Sequence, residues 1–444
     1  MTIPYKTLPP NSRPPQTAES DVLLSRRQRV LGSGYRLFYE QPLQVSRGEG
    51  VWLFDPHGNR YLDVYNNVAS VGHCHPAVVD AMARQSATLN THTRYLHEAI
   101  VDFAEDLLTE FPADLDNVMF TCTGSEANDL ALRIARHVTG GSGVLVTRWA
   151  YHGVTSALAE VSPSLGSGVP RGDHARLIEA PDQYRRPGEF IASIKSTLAM
   201  MEQDGIRPAA LLVDTLFSSD GVFCAPEGEM AQAAALVRQA GGLFIADEVQ
   251  PGFGRTGETM WGFARHGVVP DLVSLGKPMG NGHPIAGLVG RSALFDAFGR
   301  DVRYFNTFGG NPVSCQAAHA VLRVIREEQL RQNARRVGGY LQRGLVQLAR
   351  EFPLLGDIRA YGLFIGAELV TDRERKRPAT ALTAKVVNAM RQRGVLIGAT
   401  GPAANILKIR PPLVFREEHA DVFLNTLNDV LKLSAIQNYS PATS

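Results

Sequence analysis

From about residue 75 to residue 315 the chain alternates short apolar runs with longer stretches of helical periodicity, and nothing else in it constrains the fold as much. The runs are 118–122, 144–147, 210–214, 243–247, 272–274 and 285–289. Strands that are apolar throughout, rather than on alternate residues, must be covered on both faces. Strands that alternate with helices pack as a mostly parallel sheet between two helical layers. Outside this region the pattern changes. Residues 1–20, rich in Pro and polar side chains, read as an arm, and 51–64 reads as a hairpin around Asp55-Pro56-His57-Gly58-Asn59. After 315 comes a long helical pattern, then short strands at 363–369, 395–397 and 406–409, then more helix. The expected organisation is an arm and hairpin over 1–74 belonging to the small domain, a large α/β domain over 75–315, and a C-terminal α+β small domain over 316–444. No internal repeat is visible.

Bulk properties exclude several classes of function. The 444 residues carry 45 basic and 44 acidic side chains, a net charge of +1, so there is no electrostatic basis for binding nucleic acid or a membrane surface. Cys74, Cys122, Cys224 and Cys315 are scattered without CxxC spacing, which argues against zinc or a disulfide framework and for a reducing compartment. His73, His75 and His92 have no carboxylates at metal-site spacing, so no metal site is expected. Met1 to Ser20 has no apolar core of the kind a secretory signal needs, and no apolar stretch reaches membrane-spanning length. The expected location is the cytoplasm.

Two residues thirty positions apart carry the chemistry. Asp247 ends the run 243–247, and Lys277 follows the run 272–274 in Leu275-Gly276-Lys277-Pro278-Met279-Gly280. In a parallel sheet both emerge at the carboxyl ends of their strands, where open α/β folds bind ligands. An amine and a carboxylate placed there suit pyridoxal phosphate, which needs a lysine for its Schiff base and an acid beside its pyridinium nitrogen. Thr123-Gly124-Ser125-Glu126 fits a capping box opening a helix, whose N-terminus offers free N–H groups to a phosphate. Tyr151, just past the strand 144–147, can stack on a planar ring, with Gly153 allowing close approach. Gly252-Phe253-Gly254-Arg255-Thr256-Gly257 matches GxGxxG, but Pro251 intervenes and no apolar-periodic helix follows. It does not mark a dinucleotide site.

Together, Asp247-Glu248-Val249-Gln250, Gly252–Gly257, Lys277, Tyr151-His152-Gly153 and Thr307-Phe308-Gly309-Gly310-Asn311-Pro312 resemble the class III aminotransferases, a family of fold-type I pyridoxal-phosphate enzymes. The resemblance covers nearly the whole chain. It implies that Lys277 holds pyridoxal 5′-phosphate covalently and Asp247 binds the pyridinium nitrogen. It further implies that Tyr151, beside His152, stacks on one ring face, Val249 presses on the other and Gln250 lies near the phenolic oxygen. Gly124 and Ser125 would hold the phosphate, joined by Thr307 of a neighbouring subunit. A site shared in this way implies a homodimer, or a tetramer built from such dimers.

Within the family, the wording of 67–76, 276–284 and 306–315 is similar to the branch containing ethanolamine-phosphate and phosphohydroxylysine phospho-lyases. Leu407-Lys408-Ile409-Arg410-Pro411-Pro412 is similar too, with Arg410 where Lys is familiar. Asp214-Thr215 and Phe217-Ser218-Ser219-Asp220-Gly221 depart from that wording. The reaction expected on a small primary amine is elimination of phosphate, or a related anion such as phosphonate, with release of ammonia. The alternative is ω-transamination to pyruvate or another oxo acid. A non-catalytic paralogue would not need Lys277 and Asp247 intact, and a nicotinamide dehydrogenase fails on the GxGxxG context. Arg94 suits forked binding of a phosphate, and Arg410 suits a substrate carboxylate.

Overall fold

The computed structural model describes residues 18–433, so the arm read at 1–20 lies almost entirely outside the described residues; a helix, Ala18–Leu31, begins as that stretch ends. Seven strands make the central sheet, in the order Asn117–Thr121, Ala286–Gly290, Leu272–Leu275, Leu243–Asp247, Pro208–Asp214, Gly143–Thr147, Ala175–Ile178. Ala286–Gly290 is antiparallel to both neighbours, and the remaining pairs are parallel.

Both sheet faces are dry. Val144, Val146, Ala210, Leu212 and Ile245 point into one core with Leu130, Ala131 and Ile134 of the helix Gly124–Thr139. Leu145, Leu211, Val213, Phe244 and Ala246 point into the other, larger core. That is why the runs are apolar on both faces until the last residues before each strand leaves the sheet. Each fully buried Val, Leu, Ile or Phe side chain contributes about 1.5–3 kcal/mol, which leaves little tolerance for a polar residue inside a strand. The carboxylates come where the strands leave the sheet. Asp214 and Asp247 are register partners at adjacent strand ends.

Smaller sheets flank this layer. Arg47–Glu49, Trp52–Phe54 and Arg60–Asp63 form an antiparallel set that Val395–Leu396 extends in parallel. The turn of this hairpin is built by Asp55, whose Oδ1 accepts the amides of His57 and Asn59. A second sheet pairs Leu355–Tyr361, Phe364–Asp372, Ile406–Ile409 and Gly398–Thr400, with Arg377–Pro378 alongside Phe364–Asp372. The helices Leu330–Glu351, Thr380–Gln392 and Glu417–Leu431 complete this part. The chain leaving Ile406–Ile409 is tied to the N-terminal segment: Arg410 N donates to Val64 O and Leu413 N to Ser70 O. This brings Lys408 and Arg410 up to the carboxyl edge of the large sheet.

Candidate active site

A cleft opens at the carboxyl ends of the strands Pro208–Asp214, Gly143–Thr147 and Leu243–Asp247. Gly124, Ser125, Tyr151, His152, Val249 and Gln250 line it, together with Asn128, Asp214, Asp247 and Lys277. Local sequence explains each arrival. Thr123 caps the helix Gly124–Thr139 by accepting from Glu126 N, and Glu126 returns its carboxylate to the Thr123 amide, a complete capping box. This turns the chain sharply, so Gly124 and Ser125, the first helical residues, present amides without intrahelical partners.

Asp247 is the most densely bonded acid of the cleft. Its Oδ2 meets His152 Nδ1 at 2.8 Å and accepts Asn128 Nδ2 at 2.9 Å, while Oδ1 accepts Val249 N at 3.1 Å. Burial pushes this carboxyl up, yet the hydrogen bond and charge of His152, the Val249 amide and Lys277 together hold it below the usual carboxylate range. Asp214, one strand away, goes the other way: burial and the neighbouring Asp247 charge raise it. Two adjacent carboxyls are thus pushed apart, one kept ionised and the other inclined to hold a proton. Behind them Asp220 accepts Thr147 Oγ1 at 2.8 Å and the Trp149 amide, and burial raises it to about 7. The loop that follows Asp214 and carries Asp220 includes two non-glycine residues at positive φ, Phe217 at 45° and Val222 at 62°. A β-branched residue rarely adopts that conformation. Arg359 holds it there by donating to the carbonyls of Gly221 and Val222.

Lys277 follows the strand Leu272–Leu275 into a short 3-10 turn, Lys277–Gly280. Burial, then the Arg410 charge, lower its ammonium pKa, against smaller opposing effects of Asp247 and Asp214. Across the cleft Lys408 Nζ donates to Gln250 Oε1 at 3.1 Å, and Arg410 Nη1 donates to the same oxygen. Arg410 Nε donates to Tyr65 O. Both cations are buried, 6% and 5% exposed, and among the described residues neither has a carboxylate within 4.0 Å.

The residues present fit pyridoxal phosphate. A Cβ on Gly124 would stand 2.8 Å from Val249 Cγ2, and one on Gly276 3.3 Å from Val249 Cγ1, so the floor of the cleft is cut to glycine. A Cβ on Gly153, at φ +148°, would stand 2.7 Å from Ser125 Oγ. The Ser125 side chain thus packs directly against the Tyr151-His152-Gly153 turn, and its Oγ accepts Val154 N. Helix amides at one end, an ionised carboxylate at another and a deprotonation-prone amine between them answer the phosphate, the ring nitrogen and the aldehyde of that group.

Two predicted site residues stand apart from this cleft. Arg94 is exposed, its guanidinium 3.9 Å above the Phe305 ring, and Thr307 is exposed on the same surface. Neither lines the cleft of its own chain. Conversely, Asn128, Asp214 and Lys408 line or border the cleft without having been expected there. Lys408 had a signal, since it interrupts the apolar strand Ile406–Ile409, which is buried throughout. Asn128 had a fainter one, a polar side chain among the apolar positions of Gly124–Thr139. The GxGxxG segment makes turns rather than a phosphate loop: Glu248 accepts the amides of Gly262 and Phe263, and Arg255 donates to the carbonyls of Leu363 and Pro411.

Residues 38–431 match the family described as Aminotransferase class-III. A Drosophila melanogaster protein named alanine–glyoxylate aminotransferase 2-like is 41% identical over 449 residues, spanning 97% of this chain and 90% of its own. The Caenorhabditis elegans ethanolamine-phosphate phospho-lyase homolog 1 is 38% identical, spanning 95% and 97%. A solved phospholyase from Arthrobacter, in complex with phosphoethanolamine, is 45% identical with a TM-score of 0.90, covering 93% of this chain and 100% of that one. With matches of this extent over a cleft of this chemistry, the chain belongs to the class III aminotransferases, and it is a fold-type I enzyme whose cofactor is pyridoxal 5′-phosphate.

Proposed function

We propose that this enzyme eliminates phosphate from a short primary amine carrying it at the far end, and that one water then hydrolyses the unsaturated amine left behind to ammonia and a carbonyl product. The carrying observation is the pair Lys408 and Arg410. Lys408 and Arg410 are buried, share one amide oxygen and, among the described residues, have no carboxylate within 4.0 Å. Burial and the Arg410 charge push the Lys408 pKa well down against the opposing Asp214 charge, and an anion joining the pair would favour the charged lysine. A phosphate dianion between them would take up donors that Lys408 and Arg410 leave unused. The relatives named for ethanolamine phosphate and the phospholyase holding phosphoethanolamine support this reading.

The cofactor supplies the Schiff base and the electron sink that make the proton on the amine-bearing carbon removable. We assign Lys277 Nζ as the group that would hold the cofactor and then take that proton; burial and the Arg410 charge lower its pKa, which makes the amine easier to deprotonate than an ordinary lysine. Asp247, kept ionised, would hold the ring nitrogen, and Tyr151, with His152 beside it, and Val249 would enclose the ring. Gly124 and Ser125 would take the cofactor phosphate, and Gln250 would serve the phenolic oxygen. As the carbon–oxygen bond to phosphate breaks, Lys408 and Arg410 stabilise the departing charge. Thr307 and Arg94 share a surface with the exposed Tyr95, Leu96, Phe305 and Phe308. In a homodimer that surface would carry Thr307, and Arg94 with it, into the partner's cleft. The four free thiols accord with a cytoplasmic setting.

The same cation pair would accept a carboxylate, and the relatives named alanine–glyoxylate aminotransferase keep transamination as a second reading. Incubation with phosphoethanolamine and no oxo acid separates them. Elimination predicts continuous release of phosphate and ammonia in equal amounts. Strict dependence on pyruvate without phosphate release would establish transamination instead.

A further inference from the structure

One amide touches the cleft from a place no cofactor role explains. Asn128, on the helix Gly124–Thr139, is 1% exposed. Its Nδ2 donates to Asp247 Oδ2 and to His152 O, both at 2.9 Å. A primary amide nitrogen carries two hydrogens, and both are spent here. Its Oδ1 is buried without a donor. Reversing the amide would set its oxygen against a carboxylate and a carbonyl, two acceptors, so only one orientation is chemically possible.

The two bonds join three elements. Asn128 belongs to the helix whose first residues, Gly124 and Ser125, line the cleft. His152 O belongs to the turn that presents Tyr151, and Asp247 ends the neighbouring strand. His152 Nδ1 approaches the same Asp247 oxygen, so Asn128 and His152 hold that carboxylate from two sides, while Val249 N holds its other oxygen. We infer that Asn128 is a positioning residue for the cofactor: it orients Asp247 toward the ring nitrogen and fixes the helix and the Tyr151 turn around it. This role is the same for elimination and for transamination, so it stands apart from the choice of substrate.

The test uses Asn128→Asp, which keeps the shape but replaces both donors with acceptors, and Asn128→Ala, which removes them. Two quantities are read besides turnover: the dissociation constant of pyridoxal 5′-phosphate from the protein, and the pH titration of the bound cofactor's visible absorption. Losing two donors to a charged group and a buried carbonyl should weaken cofactor binding about tenfold or more in both variants. The visible titration should move as well, most in Asn128→Asp, where a second carboxyl crowds Asp247. Should Asn128→Asp fail to fold, Asn128→Ala decides alone, with the melting temperature of the cofactor-free protein as its control. A purely structural asparagine would lower that melting temperature yet leave the dissociation constant within about twofold and the titration unmoved, and this would overturn the assignment.

Discussion

Asp247 and the Lys408–Arg410 pair border one cleft, and they are bonded in opposite ways. The carboxylate is nearly saturated, with His152 and Asn128 directed at Oδ2 and Val249 at Oδ1, which keeps one acceptor position open. The cations are underbonded, sharing Gln250 Oε1 and lacking any acid within 4.0 Å among the described residues. A nearly saturated group is fixed before any ligand arrives, which suits a partner that never changes. An underbonded pair is held in reserve for a partner that comes and goes. On the proposed reading, the residues around Asp247 would prepare the site for its cofactor, and Lys408 and Arg410, on the strand Ile406–Ile409 and the chain just beyond it, would select the substrate.

The largest effect expected on the carboxylate's side is that of Asp247→Asn. The amide supplies no charge to keep the ring nitrogen protonated, so turnover should fall by at least about a hundredfold, the scale of losing one preorganised electrostatic partner. Steady-state kinetics on protein shown by absorbance to retain its cofactor checks it. Turnover near wild type would remove the basis for treating the two regions differently.

A smaller effect concerns the buried acids behind Asp247. Asp220 is raised to about 7 by burial, above an ordinary aspartate. Between the unfolded and folded pKa values the native chain holds a proton that the unfolded chain has lost, so stability falls as pH rises through that window and levels off above about 7. Asp220→Asn should flatten this slope by up to about 1.4 kcal/mol per pH unit between roughly pH 4 and 7. Glu248, also raised to about 7 by burial, keeps part of the slope in place. Urea unfolding of the cofactor-free protein at several pH values measures it, and identical slopes would show that Asp220 does not carry that proton.

Which parts were legible in the sequence follows from which forces set them. Asp247 and Lys277 were readable because they stand at or just past the carboxyl ends of inner strands whose preceding residues are mostly apolar. The capping box at Thr123 and Glu126 was readable because it is local. The edge strand Ala175–Ile178 was missed: it is short, carries Arg176 and pairs on one side alone, so no continuous apolar run betrays it. The strand Arg47–Glu49 was hidden for the same reason. Arg94 read as a forked donor for a phosphate; its guanidinium lies above the Phe305 ring on an exposed surface, and nothing local records which face a loop joins. Lys408 and Asn128 reach the site only through tertiary packing, so spacing alone did not separate them from ordinary strand and helix positions.

The claim that the cations of the C-terminal segment choose the substrate is tested most directly by one ratio. It is kcat/KM for phosphoethanolamine divided by kcat/KM for an uncharged amine of similar length, measured in wild type, Lys408→Met and Arg410→Met. Charge-assisted hydrogen bonds contribute about 1.5–3 kcal/mol, so each substitution should lower the ratio roughly tenfold to a hundredfold while the uncharged amine changes little. An unchanged ratio, with both substrates slowed alike, would contradict the account and reduce Lys408 and Arg410 to supports of the fold.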